Sequence, residues 1–189
     1  MHIEYEVRVL EINQEELEKK LLNLGAKKVA DFYYKRRVYD FIPHTHNKWI
    51  RLRTDGTKTT LTIKNIIENT VDGTREMEVE VSDFDETNLI LNELGYYSRS
   101  YQENKRIRYV LNGVELDIDT WPYIPTYLEI EGQDTNEVQQ MIKLLGLDEL
   151  KISTLGIEDL YYEIYKIDSH KMSIIKFGEE LDEKYRIRD

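Results

Sequence analysis

The sequence contains no cysteine, which excludes disulfides and thiolate-bound metals. A bound metal would need carboxylate, histidine or water ligands, which suit a hard cation such as Mg²⁺ or Mn²⁺. No apolar run approaches the roughly 20 residues that span a membrane. The first residues lack the basic-then-apolar pattern of a signal peptide. We therefore expect a cytoplasmic protein without membrane association.

Basic residues are also scarce. The 189 residues include 26 Lys and Arg against 37 Asp and Glu, which gives a formal charge of −11. Such a surface disfavours general DNA binding, although it allows a local basic site. The length suits one domain, and 14 Tyr and four Phe supply bulk for a core although only 40% of the residues are apolar.

Three segments have the pattern of amphipathic helices that begin at a capping side chain and end at Leu-Gly. Asn13 precedes Glu16 by three residues, as in a capping box. The predicted N-caps are Asn13, Asp85 and Asp134, and the predicted helix ends are Gly25, Gly95 and Gly146.

Between the helices, polar and apolar residues alternate with a period of two, which predicts β-strands. In "HIEYEVRV", which starts at residue 2, Glu4, Glu6 and Arg8 lie on one face and the apolar residues on the other. Six further segments share the pattern: "KWIRLRTDG", "TTLTIK", "REMEVEVSD", "ENKRIRYVLNG", "VELDIDTW" and "TYLEIEG". This order predicts an α+β fold with hairpins rather than βαβ winding.

The polar faces of these strands are mostly charged. Their acids stand at positions 4, 6, 76, 78, 80, 115, 117, 119, 129 and 131, and their bases at 8, 51, 53, 64, 106 and 108. One interpretation is a solvated sheet with surface salt bridges. The other closes the sheet into a barrel whose bore the charges line, which also protects the sheet edges. We favour the barrel, with water, divalent cations and a polyanionic ligand in the bore, because buried charge without partners is costly.

Six motifs in order resemble those of the CYTH superfamily, the triphosphate tunnel metalloenzymes, and most of all its class IV adenylate cyclase-like branch. "EYEVR" at 4–8 resembles the E-x-E-x-K signature of that superfamily. The later motifs are "WIRLRTDG", "LTIK", "REMEVEV", "KRIRYVLNG" and "LDIDTWPYIPTYLEIEG". The resemblance covers about residues 2–165.

The resemblance implies a closed antiparallel eight-stranded β-barrel, with helices packed outside, that binds a triphosphate beside Mg²⁺ or Mn²⁺. The implied metal ligands are Glu4, Glu6, Glu129 and Glu131. The implied triphosphate-binding residues are Arg8, Arg51, Arg53, Lys64, Arg106 and Arg108, and the candidate catalytic residues are Glu78 and Asp119. Two departures bear on the substrate. Arg8 replaces the usual lysine, and Asn104, beside Lys105, stands where the family often has a lysine.

The implied activity has two forms that one tunnel can support. Water attack on the terminal phosphorus gives a triphosphatase of inorganic, thiamine or nucleoside triphosphate, and attack by a ribose 3′-hydroxyl on the α-phosphorus gives an adenylate cyclase. We favour hydrolysis. A non-catalytic polyphosphate- or nucleotide-binding module is the alternative, and a structural domain with a charged surface is a third interpretation. The expected partner is ATP, thiamine triphosphate or tripolyphosphate, without DNA.

Other residues carry weaker signals. His44 and His46 could bind a metal, but their loop offers no third ligand, which favours a solvated loop. Trp49 could stack on a base, although packing at the barrel mouth is favoured, and Trp121 in a Pro-framed turn is predicted to be structural. In "KRR", Arg37 is the best candidate to extend the phosphate site, against a solvated charge run.

The end of the chain is less regular. We assign residues 1–168 to the triphosphate-tunnel domain and 169–189 to a C-terminal extension on or near the tunnel mouth. "IEDLYYEIYKI" predicts a helix that docks on the barrel through Leu160, Tyr161 and Ile164. "MSIIKF" could pair as a strand, close one mouth or mediate a homodimer.

Overall fold

The computed structural model describes residues 1–188. The barrel strands are β1 (His2–Val9), β2 (Lys27–Asp40), β3 (Lys48–Thr54), β4 (Thr59–Ile66), β5 (Thr74–Val81), β6 (Ser100–Leu111), β7 (Val114–Thr120) and β8 (Tyr127–Gly132). Two short strands follow, β9 (Ile152–Ser153) and β10 (Ile174–Ile175). The helices are α1 (Gln14–Asn23), α2 (Phe84–Glu93), α3 (Thr135–Leu144) and α4 (Ile157–Asp159). Within residues 1–188, no helix is long and apolar enough to cross a membrane.

The eight long strands form one closed antiparallel barrel. The order around the barrel is β6-β2-β3-β4-β5-β1-β8-β7, and β7 pairs with β6 to close it. β1 pairs with β5 through residues 2–4 and with β8 through residues 5–9, so the strand that carries the first motif of the chain links β5 to β8. The predicted fold class is therefore confirmed.

Apolar side chains face outward from the barrel and pack under the helices. α1 and α3 cover β1 and β6–β8, where Leu21, Val138 and Leu145 are fully buried. α2 covers β2–β4 through Leu91, which packs against Leu52 and its neighbours. Because alternate residues of a strand point to opposite faces, this packing turns the charged faces into the bore.

The helix starts agree with the predictions at two of three positions. Asn13 and Asp134 accept hydrogen bonds from the backbone N–H groups of Glu16 and Glu137, at 3.2 and 2.8 Å. The prediction for α2 is wrong, because Asp83 rather than Asp85 is the N-cap and accepts from Glu86 N–H at 2.8 Å. Asp85 lies in the first turn, where its charge is favourable beside the helix dipole.

Two further expectations need correction. β2, with 14 residues, is the longest strand, yet alternation did not reveal it, because "YYKRRVYD" carries large or charged side chains on both faces. The segment after α4 forms a wider π-helical turn over Leu160–Ile164. That turn changes the side-chain spacing, so Leu160 and Tyr161 are buried as predicted while Ile164 is 45% exposed.

The C-terminal segment packs on the barrel through a second apolar cluster. Tyr161, Ile167, Met172 and Ile175 contact Trp121 and its neighbours between β7 and β8. β10 pairs in parallel with β6 beyond the end of β7, at Tyr101 and Gln102, so "MSIIKF" takes the first of its three possible roles and pairs as a strand.

Glu103, on the outer face of β6, holds the C-terminal segment against the barrel through a hydrogen bond. Its carboxylate accepts hydrogen bonds from the hydroxyls of Tyr33 (2.6 Å) and Tyr101 (3.0 Å) and from Phe177 N–H (3.3 Å). Burial favours the neutral acid, but the two tyrosine hydrogen bonds outweigh it and hold the pKa of Glu103 below its ordinary value.

Replacing Glu103 by Gln should lower the free energy of unfolding at pH 7 by about 1–2 kcal/mol. A lowered native pKa contributes stability above the unfolded pKa, near 4.5, and this contribution is lost as the pH falls through the native pKa. The difference between variant and wild type should therefore shrink below about pH 4.5. Denaturant titrations from pH 8 to 3 measure it, with exposed Glu180→Gln as the control. A difference that is constant across this range would contradict the prediction.

Candidate active site

The barrel encloses a cavity of about 700 Å³. Its wall includes all the residues that the sequence assigned to metal, triphosphate or catalysis: Glu4, Glu6, Arg8, Arg51, Arg53, Lys64, Glu78, Arg106, Arg108, Asp119, Glu129 and Glu131. Since seven of the eight strands contribute to this set, the closed sheet brings together residues that are far apart in the sequence.

An acidic wall forms where β1 and β8 pair. Glu6 stands directly opposite Glu131, and Arg8 opposite Glu129. Burial raises the pKa of Glu131 to about 8, with repulsion from Glu129, Glu4 and Glu6 adding to the effect. Burial likewise raises the pKa of Glu4 to about 7, although Lys64 opposes the increase. The carboxylates of this wall therefore repel one another, and the nearby bases compensate this repulsion only in part.

The predicted metal ligands supply carboxylate oxygens, which suit a hard cation, but three of the four contact bases instead. Among residues 1–188, no three His, Asp or Glu side chains are grouped as metal ligands. Glu4 instead contacts Lys64 at 2.9 Å, while Glu6 and Glu129 contact Arg8 at 3.0 and 2.7 Å. Glu131 has no cationic partner in the part of the chain described. Its raised pKa indicates a place where a divalent cation would relieve repulsion.

Four of the predicted phosphate-binding residues are already neutralised by carboxylates. One is Arg8, which contacts Glu6 and Glu129, and the others are Lys64, Arg106 and Arg108. Lys64 contacts Glu4 and Glu76, each at 2.9 Å. Arg106 lies among Asp117, Asp119 and Glu129, and Arg108 contacts Glu115 and Asp117, each at 2.6 Å. Burial alone would lower the pKa of Arg106, but these carboxylates hold it well above its ordinary value.

Arg51 and Arg53 on β3 are paired more loosely. Arg51 lies 3.3 Å from Glu78 and 3.5 Å from Glu76, and Arg53 lies 3.8 Å from Glu78. Burial and the nearby Arg51 guanidinium lower the pKa of Arg53 to about 10. Positive charge at this part of the wall is therefore only partly compensated, which is the condition for binding an anion.

Arg36 on β2 is a cavity residue that the sequence analysis missed. It lines the cavity, whereas Arg37 faces outward, 3.4 Å from the Ser98 hydroxyl and near the rings of Phe84 and Tyr101. The choice of Arg37 was therefore wrong by one residue. The signal was present in Tyr39, whose burial under α2 puts odd-numbered residues of this stretch outside and Arg36 inside.

The two candidate catalytic acids, Asp119 and Glu78, differ in how tightly their neighbours hold them. Asp119 is buried and accepts two hydrogen bonds from Arg106 and one from the Asn104 amide, at 3.3 Å. Burial raises its pKa, while Arg106 opposes the increase. Glu78 accepts from the Thr62 hydroxyl at 2.7 Å and keeps 31% of its side chain exposed. Glu78 is therefore the freer of the two acids to contact a ligand or water.

Aromatic side chains also reach the cavity. His44 and His46 line it, with ring centroids 6.1 Å apart, and both are exposed. Trp49 lines it on the face of Arg51. Trp121 has contacts on two sides. It packs in the C-terminal apolar cluster, which agrees with the structural role predicted for it, and its ring also lines the cavity beneath Arg36.

The enclosed arrangement of acids and bases has a counterpart in a known family. The model of the CYTH domain matches residues 2–161. The chain belongs to the CYTH domain family. This family comprises the triphosphate tunnel metalloenzymes, so the chain belongs to a family of triphosphate-acting enzymes, and its membership implies a divalent metal. No curated protein matches the sequence.

Solved structures share the CYTH barrel. A conserved hypothetical protein from Pyrococcus furiosus is 24% identical, with a TM-score of 0.71, over 82% of this chain and 97% of that one. A candidate adenylate cyclase from Vibrio parahaemolyticus is 13% identical, with a TM-score of 0.72, over 84% and 97%. A candidate adenylyl cyclase from Hippeastrum, described as having a dominant triphosphatase activity, is 16% identical, with a TM-score of 0.57, over 86% and 94%. At these identities the likeness supports the fold alone.

The barrel shows what the two residues that depart from the CYTH motifs, Arg8 and Asn104, contact. Arg8, which replaces a lysine of the family, uses the fork of its guanidinium to contact Glu6, Glu129 and the carbonyl oxygen of Leu155 at 2.9 Å. A single ammonium would reach these three groups less well, so the substitution crosslinks β1, β8 and the segment before α4. Asn104 contacts Asp119 on one side and Arg36 on the other.

Proposed function

We propose that the protein is a divalent-metal-dependent triphosphatase that hydrolyses inorganic, thiamine or nucleoside triphosphate. The observation that carries this proposal is the enclosed cavity, in which partly compensated arginines face an acidic wall with excess negative charge. A triphosphate with a cation complements both walls, because its oxygens suit the arginines and the cation suits the carboxylates.

The bases would position the phosphate oxygens. Arg51 and Arg53 are available for this role because their contacts with Glu78 and Glu76 are long. Arg8, Lys64 and Arg106 would join as Glu4, Glu6 and Glu129 turn toward a cation. Arg108 would contribute from its place beside Arg106 on β6. Several bases around one polyanion also stabilise the charge that shifts to the leaving group.

The carboxylates Glu4, Glu6, Glu129 and Glu131 would hold Mg²⁺ or Mn²⁺. When bound, such a cation neutralises phosphate oxygens and polarises the phosphoryl group. All four ligands supply oxygen, as these cations prefer, and the raised pKa values of Glu4 and Glu131 reflect the charge that a cation would offset.

Glu78 would orient the attacking water and accept its proton. The water oxygen forms a bond to the terminal phosphorus while the bond from this phosphorus to the bridging oxygen breaks, which releases phosphate and a diphosphate. Asp119 would keep Arg106 and Asn104 in place, since hydrogen bonds from both already hold it. If a ribose 3′-hydroxyl replaced the water and attacked the α-phosphorus, the same residues would give cyclic AMP and pyrophosphate.

An activity screen tests the proposal directly. Purified protein is incubated with tripolyphosphate, thiamine triphosphate or ATP and with Mg²⁺, Mn²⁺ or chelator, and the products are separated. We expect phosphate release from at least one substrate, dependent on the metal. Cyclic AMP from ATP would assign cyclase activity instead, and turnover that persists in chelator would contradict metal dependence.

A non-catalytic polyphosphate-binding module is the second candidate. The ion pairs of Glu4 and Glu6 favour it, because they leave no ready group of metal ligands among residues 1–188. Calorimetry that detects tight tripolyphosphate binding, with no turnover under any metal, would select it. A cytoplasmic location, the absence of DNA binding, homodimerisation and a domain boundary after residue 168 stay predictions.

A further inference from the structure

Arg36 occupies an unusual position among the bases of the cavity. It lies on β2, opposite Arg53 of β3 and Gln102 of β6, and only 7% of its surface is exposed. No carboxylate of residues 1–188 forms an ion pair with it. The predicted phosphate-binding residues of the cavity, in contrast, each contact at least one carboxylate.

The contacts of Arg36 leave its donors incompletely used. One terminal nitrogen donates to the Asn104 side-chain oxygen, and the guanidinium lies 4.5 Å from the centroid of the Trp121 ring. Its Nε is buried without a hydrogen-bond partner. A guanidinium has five N–H donors, so donors remain on its terminal nitrogens for a ligand in the cavity that Arg36 lines.

The charges around Arg36 also favour binding of an anion. Burial and the nearby Arg51 and Arg53 guanidiniums hold its pKa well below its ordinary value. The acid that most opposes this effect is Asp119, which Arg106 already binds. Stacking on Trp121 alone would give Arg36 a purely structural role, but a cation–π contact does not satisfy the N–H donors of a buried guanidinium that neighbouring guanidiniums repel.

We propose that Arg36, on β2, binds a phosphate group of the ligand. Tyr34 stands opposite Asn104, so Arg36 lies two residues along the same face and reaches the amide across the strand pair. Together with Arg53, Arg36 forms a phosphate subsite that requires no metal. This inference rests on the proposed binding of a triphosphate in the cavity.

The test measures binding rather than turnover. Calorimetry with tripolyphosphate is carried out in chelator, where the proposed metal-dependent hydrolysis does not proceed, on wild type and on Arg36→Gln, Arg36→Lys and the double variant Arg36→Gln, Asn104→Lys. Arg37→Gln is the matched control, because Arg37 is adjacent in sequence but faces outward. Thermal unfolding confirms that each variant is folded.

We expect Arg36→Gln to weaken tripolyphosphate binding in chelator by about 10- to 100-fold. Arg36→Lys should lose less, because it keeps the charge. The double variant should regain at least about fivefold over Arg36→Gln, because the added ammonium at position 104 restores a cation beside the same phosphate. Arg37→Gln should bind as the wild type does.

Contrary outcomes separate this inference from the proposed function. If wild type does not bind tripolyphosphate in chelator, the metal-free phosphate subsite fails, whereas the proposed function fails only if the activity screen shows no turnover. If wild type binds and Arg36→Gln binds equally well, only the role of Arg36 fails. A folded Arg36→Gln variant that binds weakly, but that Asn104→Lys does not improve, would make Arg36 a structural residue and overturn the proposal.

Discussion

We expect the Glu4→Gln, Glu6→Gln double variant to lose turnover of its triphosphate substrate by about 10³-fold or more, because it removes two of four proposed cation ligands. Glutamine keeps the size of both side chains. The bases do not become isolated, because Lys64 retains Glu76 and Arg8 retains Glu129. Thermal unfolding should therefore change little, and product release with Mg²⁺ or Mn²⁺ is the measurement.

Glu80→Gln is the matched control for this loss. Glu80 belongs to the charged face of β5, yet it contacts Lys58 at 3.2 Å, and both side chains are exposed. Its replacement removes a carboxylate without touching the proposed metal ligands, so turnover should stay within about twofold of wild type. Full activity in the Glu4, Glu6 double variant would discard the metal-dependent mechanism.

The second large effect concerns Glu131. Its native pKa of about 8 lies above its ordinary value of 4.5, because burial and neighbouring carboxylates favour the protonated acid. As the pH rises from about 4.5 to 8, the unfolded chain releases this proton freely and the native protein does not, so the free energy of unfolding falls. Replacing Glu131 by Gln should therefore stabilise the metal-free protein at pH 8 by about 2–4 kcal/mol.

This gain should depend on pH and on metal. Below about pH 4.5, Glu131 is protonated in both states, so the variant and wild type should be equally stable. At pH 8, saturating Mn²⁺ should stabilise wild type more than Glu131→Gln, because the variant lacks one cation ligand. Thermal unfolding across pH, with chelator or Mn²⁺, measures both effects. A Glu131→Gln variant that is less stable than wild type at pH 8 in chelator would contradict the raised pKa.

The sequence predicts the barrel well where one face of a strand is uniformly apolar. In β1, β7 and β8, the apolar faces pack under α1 and α3, so alternation identifies the inward residues correctly. In β2, Lys35, Arg36 and Arg37 are consecutive bases, and local alternation cannot say which one points inward. Only the packing of Tyr39 under α2 decides this, and that packing depends on long-range contacts.

The partners of each charge are harder to predict than its position. Arg106 contacts Asp117 and Asp119 across the β6–β7 pair, but it also reaches Glu129, two strands away. Strand pairing can suggest the first two contacts, since Arg106 stands opposite Asp119. The third depends on the curvature of the closed sheet, which alternation does not encode.

The ion pairs between the acidic wall and Arg8 and Lys64 have a thermodynamic consequence. If the proposed cation and triphosphate bind here, each carboxylate that turns to the cation frees a base for the polyanion, and each base that turns to the polyanion frees a carboxylate. The two binding events are then heterotropically cooperative, and the coupling is reciprocal, so either component tightens binding of the other by the same factor. A barrel that binds both ligands in this way would favour the cation–polyanion complex over either ligand alone.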